Sequence, residues 1–246
     1  MKKEEVITKA EELCTLCEEK AAETLVKEAL SGSPDDPNLQ TELAIIQSRL
    51  GYDGKAETLL RRVIRSNPNL ERAVSALGNL LNNSLRTDEA ASLYRTFLQS
   101  NPHGHVVLDD LCRLLIDDGD EKEALRLARK HAIDYPSEPQ AYDALRYVLD
   151  RLEDDLADEV AENPSSSSHL RDFASNIIEQ YSVLKKMEAQ ALEPGVDFED
   201  FIQDIHEDLI RIYGEMDDIA SRNERNESPL PREVINAINE ALASRE

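Results

Sequence analysis

The stretch LGNLLNNSLRTDEAASLYRTFLQSNP, from Leu77 to Pro102, contains the pattern that decides the fold of this chain. Its closing proline recurs at a constant interval, and an alanine and a leucine recur at fixed distances before it. A residue that is mostly large and apolar stands one helical turn after each alanine. The recurring residues are Pro34, Pro68, Pro102 and Pro136; Ala22, Ala56, Ala90 and Ala124; Leu43, Leu77 and Leu111; and Val26, Leu60, Tyr94 and Ala128. A fixed period of this length, with helical spacing inside it, is typical of a solenoid of two-helix repeats.

This pattern resembles the tetratricopeptide (TPR) repeat. The family pattern has a Leu-Gly pair, an alanine, an aromatic residue and a closing proline, and here the matching residues are Leu77, Gly78, Ala90, Tyr94 and Pro102. The resemblance covers roughly residues 3–150. The sequence departs from the family at the aromatic position of the first helix, where Gln40, Val74 and Leu108 stand and only Tyr142 is aromatic. The resemblance implies an α-solenoid that binds other proteins.

Composition supports an all-α, acidic chain. Of the 246 residues, 40% are apolar, and good helix formers predominate. The net charge of −23 predicts repulsion from phosphate backbones, so we expect no nucleic-acid partner. The acidity has two readings, solubility or attraction of a basic client. The start of the chain is polar and no segment resembles a membrane span, and the cysteines are too few for a disulfide framework, so we expect a cytoplasmic protein.

The repeats and the boundary after them predict two parts. Residues 1–162 are expected to form the TPR-like solenoid, and residues 163–168, with a proline followed by serines, a linker. Residues 169–246 are expected to form a helical hairpin and a short terminal helix. The predicted units are residues 3–36, 37–70, 71–104, 105–138 and 139–162, with the second helix of the last unit near Leu156–Val160.

Two apolar seams define the predicted C-terminal hairpin, with a turn at Glu193–Gly195. The seams consist of Leu170, Phe173, Ile177, Tyr181, Leu184 and Met187, and of Phe198, Phe201, Ile205, Leu209, Ile212, Met216 and Ile219. The last helix carries Val234, Ile235, Ile238 and Leu242 on one face. These helices could form a small bundle, dock on the end of the solenoid, or pair with a second copy of the chain.

No cluster of residues predicts an enzyme, a metal site or a cofactor. Cys14 and Cys17 form a C-x-x-C pair, but further ligands at suitable spacing are lacking, so packing is the favoured role. The acidic run Asp117–Glu121 lacks the longer frame of a calcium loop and fits a turn between helices. His103 and His105 make a weak pair at a repeat junction.

The resemblance implies a concave groove lined by the first helix of each repeat. Counting from the unit starts, positions 2, 5, 9 and 12 are expected to face it, and the candidate partner-binding residues are Asn38, Thr41, Arg72, Ser75, Asn79, Asn82, Arg113 and Tyr147. Amides can hydrogen-bond the backbone of an extended peptide, and arginines can bind a carboxylate. The clamp that some TPR proteins use for chaperone tails is not expected, because Thr41, Ile45, Val106 and Asp110 replace its residues.

The leading hypothesis is a non-catalytic adaptor that binds a protein segment in this groove. It predicts that charge reversal at Arg72 and Arg113 weakens capture of the partner. Two alternatives remain open: self-association through the C-terminal helices, giving a structural assembly protein, and shielding of a basic client by the acidic ends.

Overall fold

The computed structural model describes residues 2–162, 166–191, 199–224 and 230–244, and these contain helices and no strand. The predicted all-α fold class is confirmed. The helices group into two compact units, residues 1–114 and 115–246, which are described separately. The helices are α1 (Lys3–Thr15), α2 (Glu19–Gly32), α3 (Pro37–Arg49), α4 (Asp53–Ser66), α5 (Glu71–Asn83), α6 (Thr87–Ser100), α7 (His105–Asp117), α8 (Glu121–Asp134), α9 (Asp143–Glu162), α10 (Ser167–Ala191), α11 (Glu199–Glu224) and α12 (Arg232–Ala243).

Helix boundaries follow local chemistry. At the start of α3, Asp36 accepts hydrogen bonds from the backbone N–H groups of Asn38 (2.9 Å) and Leu39 (3.1 Å), while Pro37 occupies the first turn. This arrangement satisfies donors that have no partner within the helix. The turn inside each helix pair passes through the left-handed region at the same place in successive repeats: Cys17, Gly51, Leu85 and Gly119.

The first unit is built from stacked helix pairs. Each helix from α1 to α5 packs against the next one, and the first helices also contact each other, α1 with α3 and α3 with α5. The recurring alanines Ala22, Ala56 and Ala90 are completely buried. At Gly78 the ring of Tyr94 lies so close to the backbone that an added Cβ would overlap its atoms. The glycine and the tyrosine of the repeat pattern are therefore in direct contact with each other.

The second unit departs from the predicted helix pair at residues 139–162. A short 3-10 turn (Pro139–Tyr142) leads into α9, which is continuous to Glu162. The second helix expected near Leu156–Val160 is wrong as a separate element, because no glycine or proline interrupts the sequence between Asp143 and Glu162. The strong helix formers of this stretch continue the helix instead.

The C-terminal helices assemble on α9. Helix α10 packs along α9 and the 3-10 turn, α11 packs on α10, and α12 contacts both α10 and α11. The first seam is buried as expected apart from the half-buried Tyr181, and the second is buried from Leu209 to Ile219. The expected turn at Glu193–Gly195 and Phe198 lie outside the described residues, as do the side chains of Phe201 and Ile205 and residues 163–165 of the expected linker. The predicted division of the chain at residues 163–168 stays a prediction.

Candidate partner-binding surface

The first helices of unit 1 enclose a cavity of about 260 Å³. Helices α1 and α3 each contribute three lining residues, and α5 contributes one arginine. The lining residues are Glu11, Cys14, Thr15, Glu42, Ile45, Arg49 and Arg72. On α3 and α5 these residues occupy positions 2, 6, 9 and 13 of the unit, so this is the face that the helices present to the cavity.

An ion pair at the cavity ties three helices together. Arg72 on α5 donates to the carboxylate of Glu42 on α3 and, at 2.8 Å, to Oε1 of Glu11 on α1. The side chain of Glu42 is only 2% exposed, whereas that of Arg72 is 36% exposed. Burial raises the pKa of Glu42 above its usual value, and the charge of Arg72 opposes that effect. Arg72 thus compensates a buried carboxylate and is not available as a free guanidinium.

Arg49 lines the same cavity but, unlike Arg72, is not part of an ion pair among the described residues. It is exposed, and within that part of the chain its guanidinium forms no hydrogen bond either. Its positive charge lowers the pKa of the Cys14 thiol, but burial is the larger influence and leaves that pKa raised. A thiol with a raised pKa is a poor nucleophile, which agrees with a packing role for Cys14. Cys17 is exposed in the turn after α1.

A polar cluster joins α5, α6 and α7 within unit 1. The hydroxyl of Tyr94 donates to Oδ1 of Asn79 (3.1 Å), whose amide donates to Oδ1 of Asp110 (3.4 Å). Ser75 also hydrogen-bonds Asp110, and burial nevertheless raises the pKa of this carboxyl. Burial raises the pKa of Tyr94 as well. The cluster fixes the orientation of Asn79, a side chain that remains exposed.

The predicted groove residues are therefore in several different states. Thr41, which was expected to face the groove, is completely buried, and its hydroxyl donates to the carbonyl of Pro37 at 2.7 Å. Asn38 and Ser75 are half-buried, and Asn82 accepts a hydrogen bond from the hydroxyl of Thr87 (3.2 Å). Arg113 donates to Asp109 within α7 at 2.8 Å.

Tyr147 is the one predicted groove residue of the second unit. It is half-buried on α9. In unit 1, the structure brings Arg72 and Asn79 each into a cluster of polar side chains.

Sequence reasoning missed Glu11, Glu42, Arg49 and Asp110. One signal for Glu42 exists in the sequence: a carboxylate stands among the apolar residues Leu39, Ala44 and Ile46 of α3, and such a residue needs a cationic partner. Arg72 stands at the second position of the next first helix. A count by repeat positions could have paired the two residues.

The acidic turn after α7, which the sequence offered as a possible cation site, has a structural role. Oδ1 of Asp120, in the acidic turn after α7, accepts a hydrogen bond from the N–H of Glu123 (3.4 Å) and so caps α8. Across the described part of the chain, no group of histidine, cysteine and carboxylate side chains is placed to hold a metal ion. None of the described helices combines the length and the hydropathy that crossing a membrane requires.

Searches with the sequence found no matching protein-family model and no matching curated protein. Among solved structures, the chain is similar to TTC0263, a thermophilic TPR protein of Thermus thermophilus, with 18% identity and a TM-score of 0.49 over 71% of this chain and 98% of that one. A tetratricopeptide repeat protein of Parabacteroides merdae has 16% identity and a TM-score of 0.45, with 98% of each chain covered. A structure of Naa15/Naa10 bound to HypK-THB has 14% identity and a TM-score of 0.48, and the match spans 97% of this chain but 38% of that one.

The architecture itself rests on the geometry of the chain. Helix pairs that recur with a constant period, buried alanines at the recurring place and a glycine fitted under an aromatic ring are the features that define the repeat. The chain therefore has the fold of a TPR-like array of helix pairs.

Proposed function

We propose that this protein is a non-catalytic adaptor that binds a segment of another protein on the first-helix face of unit 1. The observation that carries the proposal is the surface formed by α1, α3 and α5, where a cavity of about 260 Å³ is bordered by an arginine with no ion pair among the described residues. A partly apolar recess with a few fixed polar groups is the usual form of a binding site.

Two side chains are best placed to contact the partner. Arg49 offers a guanidinium that can bind a carboxylate or backbone carbonyls. Asn79 offers an exposed amide whose orientation is already fixed by Tyr94 and Asp110, so less conformational entropy is lost on binding. Ile45 supplies apolar surface at the cavity between the polar groups.

Charge reversal at Arg72 is a poor test of this proposal. Removing the guanidinium would leave the carboxylate of Glu42 buried without a partner, a change that costs roughly 3–5 kcal/mol in comparable buried pairs and less where one partner is partly exposed, as here. Lost capture could then reflect lost folding.

The sharper experiment uses Arg49→Glu alone, because removal of the Asn79 amide would take away a hydrogen-bond partner of the buried Tyr94 hydroxyl and Asp110 carboxyl. We expect this variant to keep the melting temperature within a few degrees of the wild type and to lose partners captured from a lysate of the source cells. The matched control is Arg95→Glu on α6, an exposed arginine of a second helix that has no ion pair among the described residues. Equal capture by the first-helix variant and the wild type would refute the proposal.

The two alternatives stay predictions of the sequence. Self-association through α10–α12 predicts a lower solution mass after deletion of residues 166–246. In the structure, however, α10 covers part of α9, so this deletion also exposes apolar surface. Substitutions on exposed residues are therefore the better route. Shielding of a basic client predicts capture that weakens strongly as salt concentration rises.

A further inference from the structure

Helix α4 carries a stripe of positive charge that the repeat architecture does not require. Lys55, Arg62 and Arg65 line a depression of about 440 Å³ together with Gly54, Thr58 and Leu59. The three cations are exposed, and the structure shows no ion pair for them within its described residues. Lys55 contacts the ring of Tyr52, 5.0 Å from its centroid.

The neighbouring repeats provide a built-in comparison for this stripe. At the same three places, α2 has Ala21, Glu28 and Ser31, and α6 has Glu89, Thr96 and Gln99. The apolar place between them is retained in each repeat, as Leu25, Leu59 and Leu93. Packing of the helix pairs therefore needs the leucine but not the cations, so the cations of α4 call for another explanation.

A stripe of opposite charge lies on α9 in the second unit. Asp155, Asp158, Glu159 and Glu162 are spaced about one helical turn apart, so they lie on one side of the helix. All of them are exposed, and their carboxylates form no ion pair among the described residues. Over residues 139–165 the net charge is −6, whereas residues 37–70 have a net charge of +2 in a chain of −23.

We propose that the α4 stripe is a docking surface for the α9 stripe of a second copy of this chain. The α9 stripe is short enough to lie along the α4 stripe, because Asp155 to Glu162 spans about 10 Å of helix and Lys55 to Arg65 about 15 Å. The alignment of unpaired guanidinium groups with unpaired carboxylates provides the complementarity that orients two surfaces. Because the two stripes differ, the contact is head-to-tail and leaves one free stripe at each end, so copies add into chains or close into a ring.

The negative net charge of the chain opposes this contact. The distance over which that repulsion acts determines the salt concentration at which association is expected. Two copies of charge −23 repel each other at a distance, but at about 0.1 M salt the Debye length is near 10 Å, so charges beyond that distance are largely screened while charges in contact still attract. We therefore expect weak association that is visible at about 0.1 M salt and high protein concentration and is lost near 1 M salt.

The test is the solution mass of the intact protein by sedimentation equilibrium over a range of concentrations. We expect the wild type to exceed the 27.7 kDa of one chain as concentration rises. The variants Arg62→Glu/Arg65→Glu and Asp155→Lys/Asp158→Lys should each associate at least about tenfold more weakly, since like charges then face each other. Combining both changes in one chain restores opposite charges across the contact and should restore association.

The matched control is Lys20→Glu/Arg95→Glu, which changes the net charge as much as the α4 variant but lies on exposed positions of α2 and α6. This control should associate like the wild type. Wild-type protein that stays at one chain under all conditions would overturn the proposal. Association that survives in the α4 variant, or that the control also abolishes, would overturn it too. Circular dichroism of each variant confirms that it is folded.

Discussion

Unit 1 and the C-terminal helices of unit 2 both bury apolar and polar side chains, but the contacts that set the positions of their helices differ. In unit 1, small residues at a fixed period allow large ones to approach, as Gly78 does for the ring of Tyr94. In unit 2, a hydrogen-bonded network lies among three helices: Asn176 and Gln180 on α10 are buried and donate to the carbonyl of Leu149 on α9, and Arg211 on α11 binds Glu153 of α9.

The difference has a consequence for specificity. Close packing of repeated shapes is satisfied by any similar neighbour, so it defines a stack of like elements. A buried polar network is satisfied only when its own members meet, since an unpaired polar group inside a protein is costly. The network in unit 2 therefore fixes the register of α9, α10 and α11, which have no repeat to guide them.

The largest effect is expected for Gly78→Ala. The added methyl would overlap the ring of Tyr94, so we expect a loss of about 3 kcal/mol in the free energy of unfolding. Urea denaturation followed by circular dichroism measures it. The comparison protein is Tyr94→Ala, which removes the ring, and adding Gly78→Ala to it should cost far less. A full penalty in that background would show that the ring is not the cause.

The network of unit 2 is tested by Arg211→Ala. Arg211 donates to both carboxylate oxygens of Glu153 (2.7 and 2.6 Å) and to the side chain of Gln180 (3.0 Å). Its loss leaves the largely buried carboxylate of Glu153 without this cationic partner, although Gln180 still donates to it at 2.7 Å. Since the arginine is itself partly exposed, we expect a cost of about 2 kcal/mol.

The control on the same helix is Arg222→Ala. Arg222 binds Asp218 on the surface of α11, and pairs of this kind contribute roughly 0.5 kcal/mol or less. Hydrogen exchange of α10 and α11 locates the effect in the second unit. If the two alanine variants lose equal stability, the network has no special role.

The periodic part of this architecture could be predicted from the sequence, and the contacts across it could not. The turn residues at Gly51–Gly54, Asn83–Thr87 and Asp117–Asp120 lie within about two residues of the helix boundaries, because glycine and cap chemistry act locally. The ion pair of Arg72 with Glu42 and that of Arg211 with Glu153 join residues 30 and 58 positions apart. Only the packing of the helices decides such pairs.

The side-chain environments at the candidate site were also only partly predictable from the sequence. Counting positions in the repeat selected Arg72 and Asn79, which the structure places in two polar clusters of unit 1, but it also selected Thr41, which is completely buried. It also omitted Arg49, one position beyond the last that was counted. A shift of one residue rotates a helical side chain by roughly 100°, so an error of one position exchanges a buried residue for an exposed one.

Two carboxylates of unit 1 should respond to pH in opposite directions. Burial raises the pKa of Glu42, so its contribution to stability is greatest at low pH and is lost as pH rises through the raised pKa, above 4.5. Hydrogen bonding by Arg86 lowers the pKa of Glu57, which therefore contributes above its usual pKa and loses that contribution as pH falls through the lowered value.

The measurement is the unfolding free energy of Glu42→Gln and Glu57→Gln between about pH 3 and 7, across the usual carboxyl range. We compare the unfolding free energy of each variant with that of the wild type. From about pH 3 to pH 7 this difference should become more favourable for Glu42→Gln and less favourable for Glu57→Gln, by about 1 kcal/mol in each case. Parallel pH profiles for the two variants would mean that the burial of Glu42 does not control its ionisation.

The smallest effect concerns the turns inside the helix pairs. Leu85 has a φ of 60°, and Gly51, at the same place one repeat earlier, has a φ of 78°. A side chain in this left-handed region costs roughly 1–2 kcal/mol, and Leu85 recovers none of it by packing because it is 91% exposed. Glycine removes this strain but makes the unfolded chain more flexible, which offsets about 0.5–1 kcal/mol. We therefore expect Leu85→Gly to stabilise the protein by roughly 0.5 kcal/mol and Gly51→Ala to destabilise it by about 1 kcal/mol. Thermal and urea unfolding of both variants measure the pair, and a loss of stability in Leu85→Gly would show that the exposed leucine has contacts that offset its strain.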